Sequence, residues 1–132
     1  MEKTNIMVEF CILGDEFNPE EITSKLLIEP SEQYLKGSRN ARNIERKESC
    51  WSINTGYLET LFVSEVLDIL LDKLASKKEL ILEIEKEMDL ICKFFVVIKI
   101  EDNIKPAIYL DKRVIEFADF VGAEFDFDLY IF

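Results

Sequence analysis

The chain has 132 residues, of which 27 are Asp or Glu and 16 are Lys or Arg, so its formal net charge is −11. This acidity argues against a nucleic acid as the main ligand, because binding its backbone means neutralising phosphates. The chain has no histidine and so lacks the side chain that most often serves as general base or zinc ligand. The length is typical of one domain, and we expect residues 1–132 to form it.

The first half of the chain predicts strands, a short helix and a loop. Alternating apolar residues from Ile6 to Leu13 predict a strand. Asn18-Pro19-Glu20-Glu21 predicts a helix start, because Asn caps free N–H groups and carboxylates favour the positive end of the dipole. We expect Pro30 to close this segment. The next segments are predicted as a brief extended stretch (31–37), an exposed loop (36–47) and a second strand (49–54).

The second half predicts a long helical region, two strands and a final helix. Apolar residues from Val63 to Leu74 recur at the spacing of an amphipathic helix. A second apolar set, from Leu80 to Met88, leaves open whether one bent helix or two follow. Asp111 as a cap and Gly122 as a left-handed stop bound the last helix. The remaining segments are predicted as a strand (91–100), a short extended piece (108–110) and a closing strand (124–132).

This order of elements predicts the fold class and the compartment. We expect an α+β fold, a mainly antiparallel sheet with about three helices packed on one side. The longest apolar run, Phe94 to Ile98, is too short to span a membrane, and residues 1–5 lack the features of a secretory signal. The three cysteines form no C-x-x-C pair and are expected to be reduced thiols. We therefore expect a cytoplasmic protein with no membrane partner.

Two rows of carboxylates are the candidate partner-binding residues. The closing strand places three of them on one face, about 7 Å apart, and a helical segment repeats three more at every fourth position, a spacing at which like charges destabilise a helix. Such a row could hold Mg²⁺ or Ca²⁺, but no calcium-loop pattern occurs, so we expect neither a metal nor another cofactor. The residues are Glu124, Asp126 and Asp128 on the strand, and Glu79, Glu83 and Glu87 on the helix.

The loop at 36–47 is the one basic segment. It contains five basic residues and one acidic residue, so it carries a net charge of +4 and the rest of the chain carries −15. Arg39, Arg42 and Arg46 could bind a phosphate, since guanidinium groups fork onto phosphates. Trp51, near the end of the loop, could offer a stacking surface. No glycine-rich phosphate-binding motif supports this alternative.

Several segments together resemble a known family. They are Ile12-Leu13-Gly14-Asp15-Glu16-Phe17-Asn18-Pro19, Ile28-Glu29-Pro30 followed by Lys36-Gly37, Trp51-Ser52-Ile53-Asn54-Thr55-Gly56-Tyr57, and Phe127-Asp128-Leu129-Tyr130-Ile131. The arrangement resembles a bacterial family known as domain of unknown function 4279 and covers nearly the whole chain. The resemblance implies a small, stand-alone bacterial protein and supplies no activity and no catalytic residues.

The sequence therefore favours binding over catalysis. Our leading hypothesis is a non-enzymatic acidic protein, an inhibitor or immunity-type protein that masks a basic partner such as a toxin or effector enzyme, because acidic surfaces steer such partners. The alternative is a small phosphate-ligand or nucleotide-binding domain, an enzyme among the options, that uses the basic loop. A homo-oligomer is a third option that the sequence leaves open.

Overall fold

A computed structural model describes residues 3–132. These residues form six strands and four α-helices, with a 3₁₀ turn at Ala75–Lys77 between the second and third helices. The strands are β1 Asn5–Gly14, β2 Glu32–Tyr34, β3 Ser49–Asn54, β4 Leu58–Glu59, β5 Ile91–Ile100 and β6 Glu124–Ile131. The helices are α1 Pro19–Leu26, α2 Val63–Leu74, α3 Lys78–Met88 and α4 Lys112–Val121.

The strands form one sheet in the order β2-β3-β1-β5-β6, with the short β4 pairing with β1 beyond this path. All pairs are antiparallel except β5 with β6, which run parallel because α4 carries the chain back between them. The predicted α+β class and mainly antiparallel sheet are confirmed. The helices form three segments, since α2, the 3₁₀ turn and α3 follow one another without a gap. No helix in residues 3–132 could cross a membrane.

Capping positions behave as the sequence predicts. The Asn18 side chain accepts a hydrogen bond from the backbone N–H of Glu20 (3.1 Å), and Asp111 accepts one from Val114 (3.0 Å). Gly122 is left-handed, with φ 68°. Helix α1, however, ends at Leu26 with a left-handed residue behind it, before Pro30 is reached. Proline is therefore not what terminates this helix.

One short strand differs from the sequence prediction. Strand β4 was not expected, since two residues carry no detectable periodicity. It is defined by pairing with β1, which is distant in the chain, and local patterns do not report such pairing. The piece expected to be extended at 108–110 is not part of a strand, and the neighbouring Ala107 makes an isolated bridge to Phe62.

The main core lies between the helices and one face of the sheet. Alternate residues of β1 and β5 face the helices and are fully buried, among them Phe10 and Phe94. The Phe94 ring lies 5.0 Å from that of Phe10 and 6.1 Å from Phe117 of α4. It also stacks on Phe125 of β6 at 5.0 Å. One side chain therefore joins three strands and a helix.

We expect the substitution Phe94→Ala to lower the free energy of unfolding by about 3–5 kcal/mol, because it leaves a cavity where four elements meet. Ile131→Ala is the control, since Ile131 is 71% exposed, and a change at such a position alters stability by about 0.5 kcal/mol or less. Urea unfolding of both variants, followed by circular dichroism, measures the difference. Equal effects would contradict the assigned core.

Candidate functional site

The two acidic rows lie on opposite sides of the molecule. Helix α3 presents Glu79, Glu83 and Glu87 to solvent on the helix side of the sheet. On β6, Asp126 aligns with Phe95 and Asp128 with Val97, residues that alternate with the core-facing ones of β5. The β6 row therefore projects from the face without helices, here called the open face. One flat partner surface cannot contact both rows at once.

Most of these carboxylates form no ion pair within residues 3–132. Glu87 pairs with Lys25 (3.3 Å), and both side chains are largely exposed. Across residues 3–132, no ion pair joins the other five carboxylates to a basic side chain. Asp128 accepts a hydrogen bond from the Tyr130 hydroxyl (2.9 Å), a contact that raises the pKa of Tyr130. The β6 row thus remains a set of exposed negative charges.

The basic loop folds back on itself beside the open face. Gly37 donates its N–H to the Arg46 carbonyl, and Arg46 donates its own to Ser38, both at 2.8 Å. At the tip, the Asn40 side chain accepts the backbone N–H groups of Arg42 (2.9 Å) and Ile44 (3.0 Å). These bonds give the exposed loop a defined hairpin-like shape.

Two of the three arginines hold the loop in place. The Arg46 guanidinium lies 4.2 Å from the centre of the Tyr34 ring and 3.9 Å from Glu32, and it donates to the Arg39 carbonyl (3.2 Å). Arg39 donates to the carbonyl of Asn43 (2.8 Å). Both guanidinium groups therefore already make hydrogen bonds within the protein.

The prediction that Trp51 offers a stacking surface is wrong. Trp51 is fully buried, and its indole N–H donates to the Thr23 hydroxyl (3.0 Å). Strand alternation explains the error, because Cys50 and Ser52 face the open side and Trp51 between them must face the core. The sequence showed that Trp51 lies on the face opposite Cys50 and Ser52, but it did not show which face the helices cover.

A cleft of about 380 Å³ lies between the open face and the loop. Its lining includes the carboxylates of Glu9, Glu32 and Glu48, and two thiols from β1 and β3, Cys11 and Cys50. Sequence patterns do not reveal this cleft, because its residues come from four strands and a loop that are far apart in the chain. The available signal was alternation along β1 and β3, since it places Glu9 with Cys11 on one face of β1 and Cys50 with Ser52 on one face of β3.

Hydrogen bonds tie the floor of the cleft together. Glu9 accepts from the Cys11 thiol (3.3 Å) and from the hydroxyl of Ser52 (3.2 Å). The contact with Cys50, burial and the charge of Glu9 all raise the pKa of Cys11. Hydrogen bonding with Cys11 and Tyr34 lowers the pKa of Cys50, against the opposing effect of burial. Three carboxylates and one guanidinium, that of Arg46, line the cleft, so its net negative charge disfavours phosphate.

Another thiol, that of Cys92, lies beside the Glu85 carboxyl of α3, away from the cleft. Burial raises the pKa of Cys92 and that of Glu85, while the contact between the two groups partly offsets the shift at Glu85. A thiol in these surroundings is a poor nucleophile. Within residues 3–132, no three side chains of the metal-ligating types cluster as an ion would require.

We expect the native protein to react slowly with a thiol reagent, because all three cysteines are buried and the pKa values of Cys11 and Cys92 are raised. The release of chromophore from Ellman's reagent, recorded with and without urea, tests this. Unfolding should expose three fast-reacting thiols. A fast phase in the native protein would contradict the described burial.

The substitution Glu85→Gln should raise the free energy of unfolding at neutral pH. The folded pKa of Glu85 lies above the unfolded one, so the charged carboxylate disfavours folding above that pKa. The cost disappears where both states bind the proton, below about pH 4. Urea unfolding at pH 7 and at pH 3 should therefore show stabilisation only at the higher pH. A gain that is equal at both pH values would argue against this titration.

Comparison with known proteins identifies the family. The family model described as Domain of unknown function (DUF4279) matches residues 2–132. The chain therefore belongs to this family, which confirms the resemblance seen in the sequence. No curated protein and no solved structure matches the chain significantly.

Proposed function

We propose that this DUF4279 protein is a non-enzymatic binding protein for a partner with a basic surface, such as a toxin or effector enzyme whose cationic site it masks as an inhibitor or immunity protein. One observation carries the proposal: five of the six carboxylates in the two acidic rows are exposed and have no ion-pair partner within residues 3–132. Negative charge of this kind raises the rate of encounter with a cationic protein.

The chemistry of the cleft supports binding rather than catalysis. The two thiols are buried beside Glu9, and both burial and the charge of Glu9 oppose ionisation of each thiol. The chain also lacks histidine, so the most common general base is missing. The cleft therefore offers hydrogen-bonding groups and shape, which favours binding over nucleophilic catalysis.

The alternative, a small phosphate ligand on the basic loop, has less support. Arg39 and Arg46 bind groups within the protein, and Trp51 is buried. The adjoining cleft carries three carboxylates that would oppose a phosphate. Arg42 is the exposed arginine of the three that makes none of these side-chain contacts. A single arginine gives weak support to phosphate binding.

We further infer a location in the bacterial cytoplasm. The three cysteines are unpaired, which suits a reducing compartment. An inhibitor of an intracellular effector would act in that same compartment.

Affinity capture from a lysate of the native host, at low and at high salt, tests the proposed function. We expect a basic protein at low salt that is lost as salt rises, because screening weakens charge attraction. A variant with lysine at positions 79, 83, 126 and 128 should bind the purified partner at least about tenfold more weakly.

The control variant is Glu116→Lys/Asp119→Lys, which reverses two exposed carboxylates of α4 outside both acidic rows. It should retain most of the affinity for the purified partner, measured by calorimetry. Binding whose affinity changes neither with salt concentration nor with the four lysine substitutions would overturn the proposed function.

A further inference from the structure

Within residues 3–132, no strand pairs with the outer side of β6, which leaves one long edge of the sheet free. Strand β6 is the last strand in the order β2-β3-β1-β5-β6 and spans eight residues, Glu124–Ile131. Phe132 donates its backbone N–H toward β5, to the carbonyl of Ile100 (3.0 Å). Backbone groups alternate in direction along a strand, so the N–H groups of Phe127, Leu129 and Ile131 point to the free side. Such an edge is a template for another strand.

An apolar row runs along one face of this edge. Phe127, Leu129 and Ile131 lie on the helix side of the sheet, in register with the buried Val96, Ile98 and Ile100 of β5. Yet they are 37%, 48% and 71% exposed, so cover is lost toward the end of the strand. An uncovered row of large apolar side chains is typical of an interaction surface.

The opposite face of the same edge is acidic. Glu124, Asp126 and Asp128 alternate with the apolar row and project from the open face. Any strand added here must therefore place apolar side chains beside one row and cationic side chains beside the other. The edge thus specifies the residue pattern of its occupant as well as its backbone.

A second copy of this chain does not fit the edge. Two antiparallel β6 strands would bring the Asp126 and Asp128 rows of both copies onto one face, and like charges opposite one another destabilise a strand pair. Charge on an edge strand is a common protection against self-pairing. The same charges attract a cationic segment, which makes the edge selective.

We propose that the free edge of β6 binds an extended segment of the basic partner by strand addition, a segment in which Lys or Arg alternates with apolar residues. This inference rests on the proposed function and names the surface it uses. Main-chain hydrogen bonds to the outward groups of Phe127 and Leu129 give affinity, and the alternating side chains give specificity. The acidic row of α3, on the other side of the sheet, then contributes only long-range attraction.

A designed peptide probes the edge directly. The probe is an eight-residue peptide of alternating lysine and valine with blocked ends, titrated into the ¹⁵N-labelled full chain. We expect chemical-shift changes centred on β6 and hydrogen exchange slowed at least about tenfold at the amides of Phe127 and Leu129. The control peptide, with glutamate in place of lysine, should leave both unchanged.

Two pairs of variants locate the contact. Asp126→Lys/Asp128→Lys and Glu79→Lys/Glu83→Lys change the net charge equally, but only the β6 pair should weaken peptide binding about tenfold or more. Leu129→Pro removes an outward N–H while sparing the ladder to β5, and it should weaken binding more than Leu129→Ala, which loses the side chain alone. Circular dichroism verifies that each variant is folded.

The outcomes separate this inference from the proposed function. Shifts centred on α3, or equal losses for the two charge-reversed pairs, would overturn strand addition while leaving a basic partner in place. An absence of any change at β6 would also overturn it. Failure of the proposed function would appear instead as salt-independent capture from the host lysate.

Discussion

The contact of Phe94 with the rings around it is the interaction on which the rest of the structure depends. It joins β5 to β1 through Phe10, to α4 through Phe117 and to β6 through Phe125. Once Phe125 is held against the core, strand alternation directs Asp126 to the open face and Phe127 to the helix side. The placement of the acidic row is therefore a consequence of aromatic packing.

The helices cover only one face of the sheet, which explains why the open face and β6 remain accessible for binding. All four helices bury their apolar residues against one face of the sheet, and among the described residues a small cluster around Cys11, Leu13 and Cys50 packs on the other. The open face can then hold a cleft bordered by the basic loop. At β6 even the helix side is incompletely covered, which leaves apolar and acidic rows back to back.

Local chemistry made much of the fold predictable. The caps at Asn18 and Asp111, the glycine stop at 122 and the periodicity of α2 each act within a few residues, so their patterns are visible in the chain. The alternation of acidic and apolar residues from Glu124 to Asp128 was equally visible in the sequence. What no pattern showed was the parallel pairing of β6 with β5, because pairing depends on where α4 returns the chain.

The sequence by itself determined the longer elements, the alternation of acidic and apolar residues on the last strand, and the separation of charge between one loop and the rest. Tertiary structure alone decided which face of each strand the helices cover. That choice buried Trp51, brought Glu9, Cys11 and Cys50 into one cleft, and set the rows of α3 and β6 on opposite sides. The physical reason is that burial depends on packing between distant segments, whereas propensity and alternation act only along the chain.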